Sequence, residues 1–338
     1  MTEHRKIPTP PKSLFERAEG FFGLGGDFTP APVPRKLSDP VNRRRVKKPA
    51  PEPEVSLAQA AANAMPPRVD GPVAVAAPAS APLPEPVYED VEFSGVVHKL
   101  DRAALATHGL IQPEGQVTAL LEEFRIVKRQ VLASVRKARE AGSGALAQRV
   151  LVCSPHPNEG KSFCAVNLAL AMAAEKDSEV LLVDADFAKP SVLAMLGLPR
   201  GPGFMDVLAR DDIRVEDCVM ATDVAGLFVL PAGNHTTADS EYLSSTRTAE
   251  VLDRLTRAAP NRIIIFDSPP ALAASPAAEL ANHVGQAIVV ARADRTGQSA
   301  LEDALTLLSS CPDLKLLLNA AHFSPSGRQF GVYYGQEA

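Results

Sequence analysis

Residues Ser154–Ser162 read SPHPNEGKS, and their flanks leave few folds open to this chain. A short apolar run, Val150–Cys153, precedes them, and a longer one, Phe163–Ala174, follows. The first has the length of a buried strand and the second that of a helix. Between them, Asn158, Glu159 and Gly160 present successive backbone N–H groups ahead of Lys161 and Ser162. Amides at a helix N-terminus hold an anion, a lysine reaches terminal phosphates, and a hydroxyl ligates Mg²⁺. Asn158 to Phe163 are therefore the candidate nucleotide contacts. The common GxxxxGK[ST] pattern would place glycine at 155, where this chain has Pro155. Asn158 stands where many such loops have glycine, and asparagine tolerates left-handed backbone angles better than most residues.

Two later apolar runs end in carboxylates. Val180–Val183 leads into Asp184 and Asp186, and Ile263–Phe266 leads into Asp267 before Ser-Pro-Pro. Open parallel sheets bind ligands at the carboxyl ends of their strands, so these aspartates belong beside the phosphate loop. One aspartate after a strand is ordinarily a cap or turn residue. Three behind a phosphate loop form a metal and phosphate constellation, with Asp184, Asp267 and Ser162 as candidate metal contacts.

With these motifs placed, the chain from about Val91 to Tyr334 resembles the bacterial tyrosine kinases of exopolysaccharide and capsule synthesis. It is most similar to the autokinase subgroup associated with exosortase loci. The resemblance rests on SPHPNEGKS, LLVDADFAKPSV, IIIFDSPP and the helix sequence EEFRIVKR, in that order. It implies a mainly parallel, doubly wound α/β P-loop sheet of the partition and septum-site ATPase type. It also implies ATP and Mg²⁺ as cofactors, and phosphorylation of tyrosine. The sibling ATPases carry a signature lysine five residues before the catalytic one, where this chain has His156. A neutral imidazole does not replace a permanent ammonium between two nucleotides, which disfavours their dimer chemistry. A non-kinase ATPase switch and a nucleotide-binding pseudo-kinase scaffold are the alternative readings.

The resemblance assigns Glu122, Arg125 and Lys128 to a helix that joins neighbouring catalytic domains into a ring. Lysine lacks arginine's planar fork, which implies a weaker ring. Of the four tyrosines, Tyr333 and Tyr334 are adjacent in a glycine-bearing C-terminal stretch and are the candidate phosphoacceptors. Implied partners are a membrane chain-length-determinant or copolymerase protein that activates the kinase, further copies of the chain, and a protein-tyrosine phosphatase. The implied location is cytoplasmic, at the inner membrane through a partner.

Composition narrows the remaining classes. The 338 residues contain no apolar run long enough to span a bilayer and no basic leader followed by a hydrophobic segment, so a soluble, unexported chain is expected. Cys153, Cys164, Cys218 and Cys311 form no CxxC pair and lie in apolar runs, as reduced core thiols do. The basic cluster Arg43, Arg44, Arg45, Lys47 and Lys48 sits in a chain of net charge −5 and has no interleaved aromatics, which argues against nucleic acid. Such a run is ordinarily just solvated; the functional alternative is an anionic membrane face or an acidic partner segment.

The first 90 residues hold 17 of the 30 prolines, too few large apolar groups to offset the entropy of ordering. The expected organisation is a mostly disordered region at 1–91, with one short amphipathic stretch at Ser13–Phe22. A helical lead-in follows at 92–141, a catalytic domain at 142–325 and a flexible tail at 326–338. In the lead-in, Val97–Leu110 and Val117–Ala138 read as two helices. Strands are expected near 149–154, 179–184, 226–231, 262–267, 286–292 and 314–319. Lys161, Asp184, Asp186 and Asp267 are the expected catalytic groups, one of the first two aspartates taking the phenol proton. Asn319, after the last strand, stands where related domains read adenine.

Overall fold

A computed structural model describes residues 91–321 except 94, 177, 257 and 258. The amphipathic stretch, the basic cluster, Tyr333 and Tyr334 lie outside the described residues. Eight strands form one sheet: β1 Val97–His98, β2 Arg149–Cys153, β3 Glu179–Asp184, β4 Met220–Thr222, β5 Leu227–Leu230, β6 Arg262–Asp267, β7 Gln286–Arg292 and β8 Leu314–Asn319. Their order is β1-β4-β5-β3-β6-β2-β7-β8, and every neighbouring pair is parallel except β4 with β5. The expected α/β sheet and its six strands are present.

Parallel strands need crossovers, and the apolar runs show why helices cover both faces. Alternate residues of one strand enter opposite cores. Val150 and Val152 pack with Val180, Leu182, Ile263 and Ile265 on one face. Leu151 and Cys153 pack with Leu181, Val183, Ile264 and Phe266 on the other. The first face is covered by α2, Ala119–Glu140, and by α3, Lys161–Ala173, whose residues from Cys164 onward are all buried. All four cysteines are buried free thiols, as expected.

The lead-in departs from the sequence reading. Val97–His98 is not helical but pairs in parallel with Ala221 and Thr222 of β4, a strand that was not expected. Helix α1 spans only Arg102–Thr107, because the Asp101 side chain accepts from the amides of Ala103 and Ala104 and caps it there. The β-branched Val96 and Val97 favour an extended backbone just before that cap. Thr118 caps α2 in the same way, so that helix starts two residues later than read.

Arg262 ties the start of the described chain to the sheet. Its guanidinium pairs with Glu179 at 2.7 Å, donates to the carbonyls of Leu255 and Val91 at 2.8 and 2.6 Å, and lies 4.1 Å from the centre of the Phe93 ring. A buried arginine is tolerated only when its donors are satisfied, and here the cation also faces an aromatic ring.

Candidate active site

The phosphate loop turns on two residues with left-handed backbone angles. Between β2 and α3, Asn158 has φ 65° and Gly160 φ 97°. The left-handed angle at Asn158 is the one its side-chain type suits. Gly160 has a second constraint: a Cβ there would lie 2.0 Å from Asn319 Nδ2. The turn after β6 closes over the loop, with the amides of Ala271 and Leu272 donating to the carbonyls of Ser154 and Pro155 at 2.8 and 3.2 Å.

At the head of α3, Lys161 Nζ is 2.7 Å from Asp186 Oδ2, 3.2 Å from Ser162 Oγ and 3.7 Å from Asp267 Oδ1. Burial acts to lower the lysine pKa, but Asp267 and Asp186 more than offset it, and the ammonium is held charged. Strands β3 and β6 are neighbours in register, with Asp184 opposite Asp267. The expected clustering of the phosphate loop with Asp184, Asp186 and Asp267 is therefore present in space.

The three aspartates are not equivalent. Asp184 accepts from the amides of Asp186, Ser191 and Val192 at 3.2, 2.9 and 3.0 Å, which pins the turn after β3. Burial, then the charge on Asp267, pushes its pKa up to about 7. Asp186 is the direct partner of Lys161. Asp267 is fully buried and neither of its oxygens completes a hydrogen bond. Its pKa is pushed up to about 6 by burial, against the pull of Lys161 and the Ser162 hydroxyl. Two orphaned carboxylate oxygens beside an ammonium and a hydroxyl fit a cation brought by a ligand.

Among the described residues no group of three or more His, Cys, Asp or Glu is arranged to hold a metal by itself. Mg²⁺ characteristically keeps its waters and takes most of its ligands from substrate phosphates, with one or two from the protein. Ser162 and Asp267 are the protein groups with capacity for it, whereas the oxygens of Asp184 already hold backbone amides.

Other expected residues have local partners. Phe163 stacks edge-on with Phe124 of α2 at 6.3 Å between ring centres. Asn319 donates to the Glu159 carbonyl at 2.9 Å and accepts from the Ala320 amide at 2.9 Å. The helix trio is divided. Glu122 and Arg125 pair with each other on α2, but Lys128 is buried and pairs with Glu175 at 2.9 Å. The Lys128 charge is thus paired within the chain.

Sequence reading missed Thr296 and the side chain of Glu159. The Glu159 carboxylate is fully buried inside the loop, accepting from the His156 amide at 2.7 Å and from Thr296 Oγ1 at 2.5 Å. A carboxylate placed among phosphate-binding amides was the available signal, since it must be neutralised by local donors. Also unforeseen is a cavity of about 440 Å³ beside the site, lined by Phe187, Ala188, His235, Asp239, Ser240 and Pro269. Phe187 directly follows Asp186, and Pro269 lies two residues after Asp267. His235 Nδ1 is 2.8 Å from Asp239, which orients its ring.

No family model matches the chain. It is 35% identical over 159 residues to the putative tyrosine-protein kinase EpsB of Ralstonia nicotianae, an alignment covering 47% of this chain and 21% of that protein. It is 30% identical over 217 residues to the tyrosine-protein kinase YwqD of Bacillus subtilis, covering 63% of this chain and 86% of that one. The chain thus spans about a fifth of the length of its EpsB relative and most of its YwqD relative. Among solved structures, the chimerical protein CapA2B2 superposes with a TM-score of 0.52 at 23% identity, covering 66% of this chain and 93% of that chain. That likeness is one of fold.

Proposed function

The chain belongs to the bacterial tyrosine-kinase family, and from that premise we propose that it is an ATP-dependent protein-tyrosine autokinase acting in exopolysaccharide synthesis. The observation that carries the reading is Asp267, whose two buried oxygens complete no hydrogen bond although Lys161 Nζ is 3.7 Å away and Ser162 is beside it. Such a group is costly unless a cation joins it, and Mg²⁺ carried by ATP is the cation that this loop would admit. Ser162 and Asp267 would hold Mg²⁺ there, and it would supply positive charge against the phosphates.

The chain's own groups do the rest. Loop amides from Asn158 to Ser162 hold the β-phosphate, and Lys161 exchanges Asp186 for phosphate oxygens. Asp186, released from that pair and next to residues lining the 440 Å³ cavity, accepts the phenol proton of a tyrosine seated there. Asp184 holds the turn that carries Asp186. Asn319 contacts the base side of the nucleotide.

Tyr333 and Tyr334 are the proposed acceptors, delivered from a neighbouring copy. Replacing both with phenylalanine is expected to remove most phosphotyrosine, read by mass spectrometry after incubation with Mg·ATP, while ATP affinity stays within about twofold. A full signal in the double variant moves the acceptor to Tyr88 or Tyr242. If the unmodified chain releases phosphate from ATP and never labels, even with an activator, an ATPase switch replaces this reading.

The family resemblance supports further copies of the chain, a membrane chain-length-determinant protein as activator, and a phosphatase that resets the tail. It also supports recruitment to the inner membrane through that activator. Among the described residues no helix is long and apolar enough to cross a membrane. For self-assembly, Glu122 and Arg125 remain the proposed contact, since exchanging their mutual pair for partners in another copy needs only rotamer changes. Glu122→Ala with Arg125→Ala is expected to lower the sedimentation coefficient of an oligomeric parent, and Lys128→Ala to lower the melting temperature instead. Unchanged sedimentation would make α2 an ordinary solvated face.

A further inference from the structure

The phosphate loop is gripped from outside by two segments that contribute no expected phosphate ligand. Thr296 lies in the turn between β7 and the helix Gln298–Leu307. Its hydroxyl accepts from the Arg292 amide at 2.8 Å and donates to Glu159 Oε1 at 2.5 Å. Glu159 Oε2 accepts from the His156 amide at 2.7 Å, so this one carboxylate spans the loop and joins it to the turn. The turn in turn holds β8: the Ala293 amide donates to the Asn319 carbonyl at 3.0 Å. The Asn319 side chain closes the circuit by donating to the Glu159 carbonyl at 2.9 Å.

We propose that Thr296 is a positioning residue for the phosphate loop, holding it through the Glu159 carboxylate in the shape that receives the β-phosphate. The inference deepens the nucleotide reading of this site and rests on it. The physical basis is the cost of the loop. It holds two residues at positive φ, one of them not glycine, and a non-glycine residue keeps such an angle only where its surroundings hold it there. A buried carboxylate with donors on both oxygens fixes such a loop without occupying the amides that face the ligand. Thr296→Val keeps the volume of threonine and removes the hydroxyl that donates to Glu159 Oε1. Glu159 Oε1 then loses its donor, and the loop relaxes toward solvent.

The test is nucleotide binding to the full chain by calorimetry, with ADP and with adenosine, for the parent, Thr296→Val and Thr296→Ser. Thr296→Val is expected to raise the ADP dissociation constant about tenfold, to leave adenosine within about twofold, and to lose protection of the His156 amide, which donates to Glu159, from hydrogen exchange. Thr296→Ser restores the hydroxyl and is expected to restore all three. A purely structural role would move both ligands together, or would leave the serine variant as impaired as the valine one, and either result overturns the proposal. So does an ADP affinity in Thr296→Val within twofold of the parent. If Thr296→Val does not fold, Thr296→Ala carries the same expectation. A parent that binds no ADP overturns the nucleotide reading itself, a separate failure from a parent that binds ADP and ignores the hydroxyl.

Discussion

Exchanging Lys161 for methionine is expected to lower phosphotyrosine formation at least ~10³-fold, the scale on which phosphoryl transfer depends on a cation at the transferring group. Methionine fills much of the same volume, so the chain should still fold. It should not fold equally well at every pH. The Lys161 ammonium lies between Asp186 at 2.7 Å and Asp267 at 3.7 Å, and without it two buried carboxylates face each other unneutralised. Protonation of Asp267, which Lys161 opposes in the parent, becomes easier, so the variant's melting temperature should fall short of the parent's at pH 8 and approach it as the pH drops toward 5. Scanning calorimetry across that range, beside a phosphotyrosine assay, checks both halves. A folded Lys161→Met chain with normal phosphotyrosine yield would overturn the kinase assignment.

Asp267→Asn is expected to separate function from stability in opposite directions. Activity should fall by about 10²–10³, because a neutral amide neither attracts the metal nor holds it as a carboxylate does. The nucleotide-free fold should gain. Asp267 has a folded pKa of about 6, raised by burial above the ordinary value of 3.8. Its contribution to stability is complete below the ordinary value and is lost as the pH rises through about 6. At pH 8 the buried charge therefore opposes folding, and asparagine removes it.

Part of that gain is returned, since the amide also needs partners and Lys161 loses one counter-ion. A net of about 1–2 kcal/mol, or about 2–8 °C in melting temperature, is the expected scale at pH 8 for a domain of this size. The difference should shrink toward zero near pH 4, where the parent carboxyl is protonated. Saturating Mg·ADP should narrow it at pH 8 as well, by stabilising the parent more than the variant. An Asp267→Asn chain that melts no higher at pH 8 and phosphorylates normally would remove Asp267 from the metal site.

The nucleotide site was largely legible because its determinants are local. A phosphate loop is a short run of amides between an apolar strand and an apolar helix, and Val150 to Ala174 states all three in order. The carboxylates at 184 and 267 mark where apolar runs stop, and parallel pairing places both strand ends at one edge. Even the left-handed turn at 158 followed from the residue type. What the sequence by itself determined was thus the sheet, the loop, and which charged groups meet at its carboxyl edge.

Tertiary structure decided how those groups are used. Asp184 and Asp267 end strands in the same way, yet one accepts from the amides of Asp186, Ser191 and Val192 and the other completes no hydrogen bond, with the Lys161 ammonium 3.7 Å away. Three-residue spacing put Lys128 beside Arg125, but Glu175 draws it into the protein. Val97 became a strand because β4 offered an open edge to pair with. Glu159 meets Thr296 137 positions along the chain, and Asn319 meets Glu159 across 160. Hydrophobic periodicity and loop chemistry are carried by neighbours a few residues apart, so a chain read in order displays them. The partner of a buried charge is set by which distant backbone folds against it, and only the packed sheet brings those backbones together.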